Sequence, residues 1–431
     1  MDLPPGQPGK RVGVTVAPSS FSGATWAEVL REVRGHQMKI ELGAIALGNG
    51  IKSAEHQKTV LDFEVSIDSG TFGGAISHQT LKRVIAFRRS THFENFRFVS
   101  LKLLNRKDFT GTFRFLDREI WLANYVAKVM HSLEELNLDL LVFPTTPHVF
   151  ETYVMWGCAE FLGVRVLFFQ PISIAPAMVA RTNISEQLTI PFPLGHFGKS
   201  EDHVRKKARE SLRQLADGMA PSYMQNQKAR DTFSSRQRHK FRLALAIWRW
   251  LFRQRFPESV DFTGHAGAYG FIPNAGRILL IHSLQSTLRK VARSVGRNAL
   301  PSTGFALYAL HYEPERTSLP DGFPIDFQGD ALSFLRQMIP EETALVVKEH
   351  YSQQSASLRG YLGRSPLFYD LVSGFPNTVT AGTESAVTEL IADADCVFTL
   401  TGTIAIESVL RGTPVGYFGS PWWQGLPGTI L

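Results

Sequence analysis

DCVFTLTGTIAIESVLRGTPVGYFG, residues 395–419, decides the fold. Cys396–Leu400 is a short apolar run that reads as a buried strand. It ends in Thr-Gly-Thr, a helical pattern over Ile404–Leu410 begins at once, and Val415–Phe418 reads as the next strand. Strand, turn, helix and strand in so short a span is a parallel βαβ unit. Such a turn offers backbone N–H groups at the positive end of a helix dipole, with the Thr401 and Thr403 hydroxyls alongside. That chemistry suits phosphate. Gly402 permits close backbone approach, and Glu407, one helical turn beyond Thr403, is in reach of a ribose diol. The same residues also describe an ordinary βαβ turn with a threonine N-cap.

Upstream, ALVVKEH reads as a strand over Ala344–Lys348 that ends in Lys348, Glu349 and His350. A parallel strand's carboxyl end opens into the ligand crevice, where a cation and an imidazole suit a phosphate; a surface charge cluster is the plain alternative. The segment YALHYEPERTSLPDG, residues 308–322, puts His311, Glu313, Glu315 and Arg316 in a proline-bounded loop after the strand Gly304–Leu310. Helix Asp330–Met338, strand Asn377–Thr380 and helix Ala386–Ala392 complete a second alternating half. Asp393 and Asp395 spell D-x-D but lie between a helix end and a strand start, so they read as a loop and no metal is required.

The first half alternates too. Arg11–Ala17 and Met38–Leu47 read as strands, with a helix over Thr25–Val33 between them, and residues 50–115 show no clean period. Phe115–Leu136 is helical, Asp139–Phe143 a buried strand, Glu151–Leu162 a helix and Val164–Phe169 another strand. His148 and Glu151 follow the strand DLLVF, where a cleft is expected, and are candidates for a catalytic base. A structural cap or solvent role is the plainer reading of His148 and Glu151, and His311, Glu313 and Glu315 compete from the other side. The expected architecture is α/β with two Rossmann-like doubly wound domains, residues 1–200 and 276–431, around a basic insert at 201–275.

HYEPERTSLP, then VKEH, then TGTIAIESVLRGTPVGYFG, in that order and spacing, resemble the capsular polysaccharide biosynthesis family of glycosyltransferases, the Kdo- and sialyl-transferase-like enzymes of GT-B type. The resemblance is firmest over residues 300–428 and looser over 143–172. It implies a GT-B fold, in which two Rossmann-like domains face a cleft and the C-terminal one binds the nucleotide-sugar. It makes Thr401, Gly402 and Thr403 the phosphate turn, Glu407 the ribose contact, and Lys348 and His350 nucleotide contacts, with Arg316 in the donor–acceptor loop. Kdo- and sialic-acid-transferring relatives follow the histidine with proline, whereas Tyr351 stands here, which argues against a CMP-linked donor. The expected activity is transfer of a sugar to a capsular or other surface polysaccharide or to a lipid-linked acceptor, with no cofactor beyond the donor. The alternatives are a nucleotide-sugar 2-epimerase and a non-catalytic, membrane-docked scaffold of the same fold.

Composition bounds the rest. The 431 residues are 44% hydrophobic and 20% charged, ordinary globular usage. Two cysteines, Cys158 and Cys396, make no disulfide framework. The polar, proline-rich start MDLPPGQPGKR lacks an apolar signal core, so a cytoplasmic protein is expected. The net charge of +7 is local: residues 203–257 hold fourteen Lys/Arg against Glu210, Asp217 and Asp231, leaving the remainder about −4. Within RQRHKFRLALAIWRWLFRQRF (236–256), helical periodicity puts Arg238, Arg242, Arg249 and Arg253 on one stripe beside Trp248 and Phe252. That pattern predicts an element lying on an anionic membrane at the inner face of the plasma membrane, or a core helix with snorkelling arginines. Nucleic acid is not an expected partner, because the basic patch is local and RNA-binding signatures are lacking.

Overall fold

A computed structural model of the chain describes residues 10–16, 40–47, 63–67, 76–108, 114–184, 201–219, 225–227, 271–296, 299–355 and 358–430. The predicted helix at 25–33 and the basic segment with Arg238, Arg242, Trp248, Arg249, Phe252 and Arg253 lie outside the described residues.

The first half runs β1 (Lys10–Val16), β2 (Ile40–Leu47), β3 (Phe63–Ile67), α1 (His78–Arg88), α2 (Phe93–Lys107), α3 (Phe115–Leu136), β4 (Leu140–Phe143), α4 (Phe150–Phe161), β5 (Arg165–Pro171) and β6 (Met178–Arg181). Its sheet has the order β3-β2-β1-β4-β5-β6, parallel except for the β5–β6 pair. The described helices α1 to α4 pack into one core with Ile45, Leu141, Phe143 and Phe168. Val14 and Val142 form a second cluster with Val12, Leu140, Leu167 and Phe169. β4 contributes apolar side chains to both clusters and is therefore an unbroken apolar run. Trp121, Tyr125, Phe143, Phe150 and Phe168 fill the first core. β3, α1 and α2 occupy the stretch that shows no period in the sequence.

The second half begins with α5 (Glu201–Ala216) and α6 (Phe271–Val295). It continues with β7 (Phe305–Ala309), α7 (Gln328–Met338), β8 (Ala344–Lys348), α8 (Pro366–Gly374), β9 (Thr378–Ala381), α9 (Val387–Asp393), β10 (Ala394–Thr399), α10 (Ile404–Val409), β11 (Val415–Tyr417) and β12 (Thr429–Ile430). Its sheet is wholly parallel, in the order β9-β8-β7-β10-β11-β12. Each sheet thus has its topological switch point beside its own first strand, between β1 and β4 and between β7 and β10. The expected pair of doubly wound α/β sheets is present. α5 packs on the second half: Leu215 joins the core of Phe305, Val397 and Ile406, and Arg411 Nη2 donates to the Leu215 and Ala216 carbonyls at 3.0 and 3.1 Å.

The halves exchange side chains. Leu319, from the loop after β7, lies in the N-terminal core with Leu103, Tyr125 and Phe150, while Ile174, from the turn after β5, packs against the C-terminal core. Among the described residues, no helix is long and apolar enough to cross a membrane.

Candidate functional site

The seam between the halves is built from residues at or just past the carboxyl ends of strands. Arg316, after β7, donates through Nη1 to Thr145 Oγ1 (3.2 Å), after β4, and pairs with buried Asp321 at 3.2 Å. Gln170, in β5, donates to Asp321 Oδ2 at 3.1 Å, and Arg181 Nη1 donates to the Ser420 carbonyl, past β11, at 2.8 Å. From α2, Arg106 donates to the carbonyls of Leu319 (2.9 Å) and Glu315 (3.1 Å), and Lys102 pairs with Asp326 at 3.1 Å. Burial lowers the Arg106 pKa to about 10, with Glu313, Glu315 and Tyr312 opposing.

His148 lies in this seam. Its Nδ1 is 2.7 Å from the Thr146 carbonyl. A carbonyl only accepts, so Nδ1 carries the proton and Nε2 presents its lone pair. Nε2 has no partner among the described residues. Burial lowers the His148 pKa, and the Arg316 and Arg106 charges lower it further against the Thr146 bond, so the ring is a neutral base. Glu151, 6% exposed, is instead ion-paired with Lys107 of α2. That carboxylate serves the packing of α4 on α2.

On the other side, the phosphate turn is partly spent on itself. The Thr401 N–H donates to His311 Nε2 (3.2 Å), the Gly402 N–H to Thr399 Oγ1 (3.2 Å), and the Thr401 hydroxyl to the Thr317 carbonyl (2.7 Å). The amides of Thr403 and Ile404 and the Thr403 hydroxyl have no partner among the described residues. Gly402 has a packing reason: a Cβ there would meet Thr399 Oγ1 at 2.7 Å and His311 Nε2 at 3.4 Å. Glu407 is on α10, and burial raises its pKa against the pull of Arg411.

Lys348 is buried at the end of β8, donating to the Glu349 carbonyl at 2.8 Å. His350 accepts the Ser352 N–H at Nδ1 (3.2 Å). Burial lowers its pKa to about 4, Lys348 and Arg364 adding to the shift and Glu349 opposing it. Glu313 is held by Arg364, which also pairs with Glu349 at 3.3 Å and donates to the His311 carbonyl at 2.9 Å. Tyr369 donates to the same Glu349 oxygen at 2.8 Å. Arg364, Arg106, Asp321, Gln170 and Arg181 are not singled out by the sequence, because each acts through a partner distant in the chain. Glu315 accepts from the Thr317 hydroxyl at 3.2 Å, and burial raises its pKa.

Asp393 and Asp395 sit at the amino end of β10, opposite the turn. Among the described residues, no group of three His, Cys, Asp or Glu is placed to hold a metal ion.

No family model and no curated sequence matches the chain. Among solved structures it is similar to the KpsC β-Kdo 2,7 transferase of Thermosulfurimonas dismutans, at 14% identity over 74% of this chain and 82% of that one, with a TM-score of 0.28. It is also similar to UDP-GlcNAc 2-epimerase from Methanocaldococcus jannaschii (9%, 98% and 88%, 0.24) and a family 9 glycosyl transferase from Veillonella parvula (8%, 98% and 85%, 0.22). These are likenesses of fold, and the strand orders themselves carry the architecture.

Proposed function

We propose that the chain is a glycosyltransferase that moves a sugar from a nucleotide-sugar to a surface polysaccharide or a lipid-linked acceptor. The observation that carries this reading is the seam: two doubly wound sheets meet at the ends where such sheets take ligands, with an unspent imidazole acceptor between them. In this reading the donor lies on the C-terminal half, near Thr403, Ile404, Glu407, Lys348 and His350. His148 Nε2 takes the acceptor hydroxyl's proton as that oxygen bonds to the anomeric carbon, and the nucleotide leaves with the bonding electrons. A neutral His148 keeps this base available below pH 6.5. The test is release of free nucleotide from UDP-, GDP-, CMP- and dTDP-sugars, with and without polysaccharide or lipid acceptors. Acceptor-dependent release that His148→Gln removes is expected. An epimerised sugar formed without acceptor would mean an epimerase, and binding without turnover a scaffold.

We further propose, from sequence alone, that residues 236–256 bring the protein to an anionic membrane where lipid-linked acceptors reside. Seven Lys/Arg lie in this segment, each contributing ~1 kcal/mol near an anionic leaflet. Salt-sensitive binding to phosphatidylglycerol vesicles is expected, lost when Arg238, Arg242, Arg249 and Arg253 become glutamine. Wild-type protein that ignores such vesicles at low salt ends this part of the reading.

A further inference from the structure

His311 reads in the sequence as a rival catalytic base, yet its surroundings describe another role. The residue is 6% exposed and sits at the switch point, spanning from the end of β7 to the end of β10. Its backbone N–H donates to Gln328 Oε1 at 2.7 Å, and its carbonyl accepts from Arg364 Nη2 at 2.9 Å and Gln328 Nε2 at 3.3 Å. On the ring, the Thr401 amide points at Nε2, so Nε2 is the lone-pair nitrogen and Thr399 Oγ1, 3.0 Å away, donates to it as well. Nδ1 then carries the proton and donates to Thr317 Oγ1 at 3.3 Å, whose own hydrogen goes on to Glu315. Every polar atom of His311 is engaged by the protein.

We infer that His311 is a positioning residue: its neutral Nδ1–H imidazole fills the crevice between β7 and β10 and holds the Thr-Gly-Thr turn, so that only the outer side of that turn, the Thr403 and Ile404 amides and the Thr403 hydroxyl, faces a ligand. That the turn meets a nucleotide rests on the proposed function; the hold on the turn does not.

Glutamine reproduces the Nε2 acceptor through its amide oxygen, whereas leucine fills the volume without accepting. Hydrogen exchange over the peptide spanning 396–405 should match wild type in His311→Gln and be at least tenfold faster in His311→Leu. Equal exchange in all three overturns the inference. If His311→Leu does not fold, His311→Phe, which keeps a planar ring but offers the Thr401 N–H no acceptor, should accelerate the same peptide, and no change there also overturns it. Nitrogen-15 histidine spectra, with the His311 signal identified by its loss in His311→Gln, should show an Nδ1–H tautomer unchanged from pH 5 to 8. An Nε2–H tautomer or a midpoint near 6.5 refutes the assignment. For UDP, GDP or CMP, whichever raises the wild-type melting temperature, His311→Gln should keep the affinity and His311→Leu lose at least tenfold. If none binds, the nucleotide reading fails while exchange and spectra still decide the role of His311.

Discussion

At the scale of single residues, the C-terminal half keeps two imidazoles neutral. Burial lowers His311 to about 3, reinforced by His350 and Arg364, and lowers His350 to about 4. Both lie below the unfolded value of ~6.5, so the unfolded chain binds protons the folded chain refuses as pH falls. Stability from these groups is therefore full above pH ~6.5 and falls with acidification, by up to ~1.4 kcal/mol per pH unit for each histidine, towards pH 4 and below. Burial raises Asp321, Glu315 and Glu407, which act in the opposite sense at acid pH, so a variant must isolate the histidine part. His350→Asn keeps an acceptor for the Ser352 N–H but does not titrate. Denaturant unfolding between pH 7 and 4.5 should show a shallower loss of stability in His350→Asn than in wild type, and parallel curves would refute the neutral burial of His350. The residue types around the site were legible from sequence, but their employment was not. His311 reads equally well as a base or a loop residue until Arg364, 53 positions away, and Thr399, 88 away, are seen to occupy its atoms. Gly402 likewise reads as room for a ligand, where the structure sets the Thr399 hydroxyl and the His311 imidazole against it.

At the scale of elements, legibility followed the sharpness of the apolar pattern. Helix Phe115–Leu136 is bounded as the sequence predicts, because its buried positions recur at helical spacing and Asn137 closes it in the left-handed conformation at φ 46°. β4, β7, β8 and β10 are short, largely buried apolar runs, and each is recognisable as such. α1 and α2 were not, because they carry apolar residues on two faces. In α2, Phe96, Val99 and Leu103 are buried while Phe98 is exposed beneath the Lys102 ammonium, 4.3 Å from the ring centroid. In α1, Val84 and Phe87 are buried but Leu81 and Ile85 are exposed. α8 hides for a similar reason: Leu367 and Leu371 are exposed beside buried Phe368 and Val372, so PLFYDLV shows no clean helical face. An apolar side chain facing water removes the contrast on which periodicity depends.

At the scale of the whole molecule, the loop after β7 does two jobs at once. Its first residues hold the turn of the C-terminal sheet through His311, and its later ones enter the other half, where Leu319 is 3% exposed among N-terminal core side chains. Arg106 grips the Leu319 carbonyl and Arg316 reaches Thr145, so side chain, backbone and charge all tie this loop across the seam. The two cores are therefore coupled through apolar side chains, Leu319 in one direction and Ile174 in the other, as well as through polar contacts. Leu319→Ala removes the first of these while leaving the Arg106 bond to the backbone in place, and a buried Leu→Ala change costs ~2–5 kcal/mol. Phe334, 52% exposed on α7, provides the contrast, since Phe334→Ala empties no core. Scanning calorimetry should show Leu319→Ala lowering the melting temperature and broadening or splitting the transition, with Phe334→Ala close to wild type. A Leu319→Ala protein that melts like wild type would mean that the polar seam and Ile174 hold the halves and that Leu319 adds nothing to their coupling.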